Sequence, residues 1–107
     1  MTMETVKRIA VADTGAEFRQ SLVRALSDEP DFQVIGETGD GGELVRMVRR
    51  DQPDAVVMDM VLTGGMDGLD VLDAFAQQKN RPKVLILSSY IKGNVVDAAA
   101  ARGADFF

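Results

Sequence analysis

The sequence predicts a doubly wound α/β domain on three observations: short apolar runs alternate with segments of helical period, the central runs are apolar almost throughout, and Gly, Asp or Pro bounds them. The first run, residues 8–12, ends at Asp13, and Phe18, Leu22, Ala25 and Leu26 then recur at helical spacing. Thr14-Gly15-Ala16-Glu17 fits a capping box at the start of that helix. The second run, residues 32–36, leads through Gly39-Asp40-Gly41-Gly42 into a helix marked by Leu44, Met47 and Val48. That glycine-rich stretch lacks the lysine and spacing of a phosphate-binding loop and reads as a turn. The third run covers residues 55–61. Gly64-Gly65 then signals a bend, and Asp67-Gly68 a turn whose aspartate caps a helix carrying Leu69, Leu72, Phe75 and Ala76. The fourth run, residues 83–87, stops at Ser88-Ser89, and the last helix carries Val95, Val96 and Ala99. Residues 104–107 read as a fifth strand, and residues 1–6 as a loosely held polar leader.

Strand–helix alternation implies right-handed crossovers onto a parallel sheet with helices on both faces, in one domain spanning residues 1–107. Composition narrows the chemistry. The chain has 46% hydrophobic and 27% charged residues, as in an ordinary globular domain, with neither cysteine nor histidine. Disulfides and Cys/His zinc sites are thereby excluded, and so is imidazole acid–base catalysis. A net charge of −5 argues against direct binding of nucleic acid. With no signal peptide or membrane-spanning run, a soluble cytoplasmic protein is expected.

In a doubly wound sheet, ligands bind beyond the carboxyl ends of the strands. Asp13, Asp59 and the Ser88-Ser89 pair are all expected at that edge. Two carboxylates and a hydroxyl there suit a hard cation such as Mg²⁺, whose charge offsets their repulsion and leaves Asp59 an anion able to attack phosphorus. Each residue also has a plainer reading: Asp13 opens a loop, Ser88 is a turn residue, and Phe106 and Phe107 belong to the core. Asp59 is the hardest to explain away, because a carboxylate within an apolar strand needs solvent, a partner or a metal.

The order Val11-Ala12-Asp13, Val57-Met58-Asp59-Met60, Asp67-Gly68-Leu69, Leu85-Ile86-Leu87-Ser88 and Gly103-Ala104-Asp105-Phe106-Phe107 resembles the receiver domains of two-component response regulators. Phe32-Gln33-Val34-Ile35-Gly36 adds a narrower likeness to the receivers of sporulation regulators. The resemblance implies a five-stranded sheet of flavodoxin-like order 2-1-3-4-5. It makes Asp59 the phosphoacceptor for a histidine kinase or phosphotransfer protein, with Asp13, Asp59 and the Val61 carbonyl around Mg²⁺ and Ser88 bonded to the phosphoryl oxygens. Ser88 and Phe107 become the switch pair, and a C-terminal effector domain, absent from this chain, the output.

Three departures from the family pattern bear on this. Thr14 stands where a second acid usually meets the metal, which weakens the expected affinity. Thr63, with Gly64-Gly65, replaces the usual loop proline and adds a residue, predicting a looser loop. The chain stops at Phe107, before the family's Lys-Pro pair and fifth helix, so that an uncovered apolar strip is expected to favour a homodimer. The alternatives are a pseudo-receiver that binds partners without phosphorylation and a small α/β enzyme or flavin-binding domain. The second of these has neither a catalytic base nor a phosphate loop after the first strand to support it.

Overall fold

A computed structural model describes residues 6–87 and 93–107. The elements run β1 (Lys7–Ala12), α1 (Ala16–Ser27), β2 (Phe32–Thr38), α2 (Gly41–Asp51), β3 (Ala55–Met58), α3 (Gly68–Ala76), β4 (Lys83–Ile86) and α4 (Gly93–Ala101). The strands are parallel in the order β2-β1-β3-β4. The leader assigned to residues 1–6 lies outside the described residues except for Val6.

Side chains alternate across this sheet with the strand period of two. Ala10, Ala12, Val56, Met58, Val84 and Ile86 point to one face, where α2, α3 and α4 bring Leu44, Val48, Val71, Leu72, Phe75 and Ala99 onto them. Ile9, Val11 and Val57 point to the other face, beneath Leu22, Val23 and Leu26 of α1. Among the described residues three helices lie on one face and one on the other.

The helix starts follow local chemistry. Asp40 caps α2 by accepting from the Glu43 N–H at 2.8 Å, and Asp67 caps α3 in a reciprocal box with Asp70. At the end of α2, Gln52 turns into the left-handed region (φ 47°) just before Pro53, which cannot continue a helix.

Four expectations need correction. The fifth strand does not form as a ladder among the described residues; residues 104–107 make one parallel bridge, Leu85 to Phe106. The Asp105 carboxylate accepts from the Val84 N–H at 2.9 Å, so a side chain occupies a place that a backbone carbonyl would fill in a regular strand. β3 ends at Met58 rather than at residue 61. The Asp59 carboxylate accepts from the next N–H, that of Met60, at 2.7 Å, and turns the chain out of the sheet. Phe18 is 53% exposed, because α1 meets the sheet through Leu22, Val23 and Leu26 rather than through its first turn. Finally, α1 has no capping box. Its N-cap is Gly15, with no side-chain cap bond, since the Asp13 carboxylate already holds the Gly15 N–H and the first helical bond is accepted by the Gly15 carbonyl.

Candidate functional site

Ala12 and Met58 are register partners on adjacent strands, so Asp13 and Asp59, the residues that follow them, stand side by side at the carboxyl edge. The Asp59 N–H donates to the Ala12 carbonyl at 2.9 Å and extends the pairing one step beyond the strands. On the other side of β3, the Leu87 N–H donates to the Met58 carbonyl at 2.9 Å, directing the chain toward Ser88, which lies outside the described residues.

The environments of the two carboxylates differ. Asp13 is 8% exposed, and its Oδ1 accepts from the Gly15 N–H at 2.8 Å. Asp59 is half-buried, and its Oδ1 accepts from the N–H groups of Met60 at 2.7 Å and Val61 at 3.4 Å. Among the described residues nothing donates to the Oδ2 of either group. Among the described residues each carboxylate is thus held through one oxygen only. Parallel strands stand about 4.8 Å apart, so two anions at this edge repel one another unless a cation lies between them.

The residues present fit such a cation. Two adjacent carboxylates are hard oxygen donors of the kind Mg²⁺ takes alongside several waters, and the Val61 carbonyl is the third donor that the family resemblance implies. The Val61 carbonyl accepts no hydrogen bond from the described residues, and Val61 itself is 67% exposed. Thr14 is exposed and contributes no charge. Among the described residues no third acidic, histidine or cysteine side chain joins the pair.

The loop after Asp59 is not loose, contrary to expectation. The Thr63 N–H and hydroxyl both donate to the Gly39 carbonyl at 2.9 Å, and the Thr63 carbonyl accepts from the Gly41 N–H at 3.0 Å. Threonine has the N–H that proline lacks, and that group fastens the loop to the segment entering α2.

Arg19 is a contributor that sequence reasoning missed. Its guanidinium donates to the Asp13 carbonyl at 2.7 Å and to Glu37 at 2.9 Å, tying the β1–α1 turn to the end of β2. The only sequence signal was an arginine beside the apolar stripe of α1 with a glutamate closing β2, and opposite charges at that separation are common. Phe107, expected as a switch aromatic, is half exposed beside Phe106, whose carbonyl accepts from the Ile86 N–H at 2.9 Å.

Residues 9–107 match the family model of the response regulator receiver domain. The chain is 34% identical over 97 residues to the transcriptional regulatory protein LiaR of Bacillus subtilis, covering 91% of this chain and 46% of that protein. It is also 33% identical over 102 residues to a protein-glutamate methylesterase/protein-glutamine glutaminase of Methanospirillum hungatei, covering 94% of this chain and 30% of that protein. The chain therefore spans less than half the length of these relatives. Among solved structures, the signal receiver domain of the putative response regulator NarL from Mycobacterium tuberculosis superposes with a TM-score of 0.90 at 31% identity, covering 96% of this chain and 82% of that one.

Proposed function

This chain belongs to the response regulator receiver domain family, and on that premise we propose that Asp59 accepts a phosphoryl group from a histidine kinase or phosphotransfer protein. The observation that carries the reading is the pairing of Asp59 with Asp13 at the carboxyl edge, each held through Oδ1 with no donor to Oδ2 among the described residues. In the transfer, Asp59 Oδ2 attacks phosphorus and the N–P bond of the donor's phosphohistidine breaks. The bonding pair leaves with the imidazole, which takes up a proton, and an acyl phosphate remains on Asp59.

Asp13, Asp59 and the Val61 carbonyl are the residues that would hold Mg²⁺, which supplies charge neutralisation for the transferring group. Asp13 and Asp59 are held by backbone N–H groups and need little rearrangement to do so. Ser88 then bonds the phosphoryl oxygens, and its movement, with that of Phe107, alters the surface around β4. The domain acts as an acceptor and switch rather than as an enzyme. Its output is an effector domain elsewhere in the protein, a transcriptional regulator as the name of LiaR indicates for that relative. The likeness to sporulation regulators adds nothing that the site requires. Among the described residues no helix is long and apolar enough to cross a membrane.

One observation favours a second reading, that of a pseudo-receiver: the described site holds two carboxylates and Thr14 adds none. Metal dependence separates the two. Incubation with acetyl phosphate is expected to label the protein in Mg²⁺ and not in excess chelator. No labelling at any Mg²⁺ concentration, with binding partners still retained, supports the pseudo-receiver.

A further inference from the structure

We propose, taking Asp59 as the phosphoacceptor, that Thr63 is a positioning residue which holds the Val61 carbonyl at the site by tying the loop after Asp59 to the loop entering α2. The chain leaves β3 after Met58 and re-enters regular structure at Gly68. Close to Asp59 it is pinned at Met60, whose N–H donates to the Asp59 carboxylate and whose carbonyl accepts from the Gly68 N–H at 2.7 Å. The second pin is Thr63. Its N–H and hydroxyl converge on the Gly39 carbonyl, its carbonyl receives the Gly41 N–H, and it pairs as a parallel bridge with Asp40. Between the pins lie Val61 and Leu62. Consecutive Cα atoms are about 3.8 Å apart, so an arch this short has little slack and a shift at Thr63 is passed to the Val61 carbonyl.

The surrounding residues support this contact. Gly64 sits at φ 83°, and a side chain there would run into the Asp40 carboxylate, so glycine lets the loop turn away directly after the clasp. Gly41 lies against the Met66 backbone, where a Cβ would collide with the Met66 carbonyl. The loop therefore rests on the first turn of α2 at two points. Proline at position 63 would have neither the N–H nor the hydroxyl, so this fastening depends on the residue by which the chain departs from its family. The Thr63 hydroxyl bond is solvent-exposed, where a neutral hydrogen bond adds little to global stability. Its consequence is local, in the placement of Val61.

The test compares Thr63→Ser, which keeps both donors, Thr63→Val, which loses the hydroxyl, and Thr63→Pro, which loses both. The readouts are calorimetric Mg²⁺ affinity, the lifetime of the phosphoryl group after acetyl phosphate treatment, and amide exchange at Val61 and Leu62. Thr63→Ser is expected to match the parent protein. Thr63→Val should weaken Mg²⁺ binding about threefold and Thr63→Pro about tenfold, with faster amide exchange in the same order. Melting temperatures should move little; if Thr63→Pro fails to fold, the serine and valine pair decides. Parent protein that labels normally, with valine and proline variants that bind Mg²⁺ within about twofold of it, overturns the role of Thr63 alone. A parent protein that takes no phosphoryl group overturns the reading of Asp59 and this proposal with it.

Discussion

On the face covered by α2, α3 and α4, Phe75, Leu44 and Val48 are wholly buried, whereas on the opposite face no residue of α1 is itself buried and Phe106 stands 61% exposed. A groove of about 430 Å³ runs along this second face, lined by Ile9, Leu26, Ala55, Val57 and Leu85 among others, with Lys7, Asp54 and Lys83 at its margins. The same four strands supply both faces, so the difference lies in the helices laid over them. α2 and α3 present continuous apolar stripes with well-capped starts; α1 has neither a side-chain cap nor a buried residue. The site belongs to both faces at once, because Asp13 begins the turn into α1 while the loop after Asp59 leads to α3.

The largest expected effect is on the well-covered face. Phe75→Ala removes a ring with no exposed surface and should cost about 3–5 kcal/mol of stability, enough to unfold much of the protein. Chemical denaturation measures it, and a loss below about 1 kcal/mol would mean that the core does not centre on α3. Leu26→Ala, on the half-covered face, should cost only about 1 kcal/mol because Leu26 is already partly exposed. Equal losses at the two positions would erase the contrast between the faces.

The groove predicts self-association of this chain, with a second copy covering the apolar surface. Sedimentation should show concentration-dependent species larger than a monomer, reduced by Phe106→Glu. A compact monomer that binds no apolar dye would contradict this. The smallest stability effect is expected for Thr14→Asp. Thr14 is exposed and does not cap α1, so the metal-free melting curve should be nearly unchanged, within about 0.5 kcal/mol. Mg²⁺ should nonetheless bind more tightly, through the added carboxylate. Unchanged affinity would mean that position 14 does not face the cation.

Elements with strong local signals were legible in the sequence. Asp67 announces its helix through a side chain that accepts from the first turn, the turn over residues 39–42 leads into α2 as read although the cap made by Asp40 was not, and the apolar runs of β1 and β4 match the observed strands to within a residue. What escaped depends on bonds that hydropathy does not register. The run through Met60 and Val61 continues to look like strand although the Asp59 carboxylate has already ended it. Asp13 similarly moves the start of α1 by taking the Gly15 N–H, which dissolves the capping box that Thr14 and Glu17 spell out. Phe18 fits the helical period, but its exposure depends on which turns of α1 meet the sheet, and those are the turns of Leu22, Val23 and Leu26. At the site, the adjacency of Asp13 and Asp59 follows from their places on the first and third runs, which the topology rule brings to one sheet edge, so it was readable although the end of the third run was not. The two-donor grip of Thr63 on Gly39 joins residues 24 positions apart and was not.

The central claim, that Asp59 is the phosphoacceptor, is tested most directly by intact-mass analysis of the parent protein and Asp59→Asn after incubation with acetyl phosphate and Mg²⁺. The parent is expected to gain a single phosphoryl group that survives mild acid and is released by base, as an acyl phosphate is, while Asp59→Asn remains folded and gains none. Persistence of that base-labile phosphoryl mass on Asp59→Asn would contradict the account.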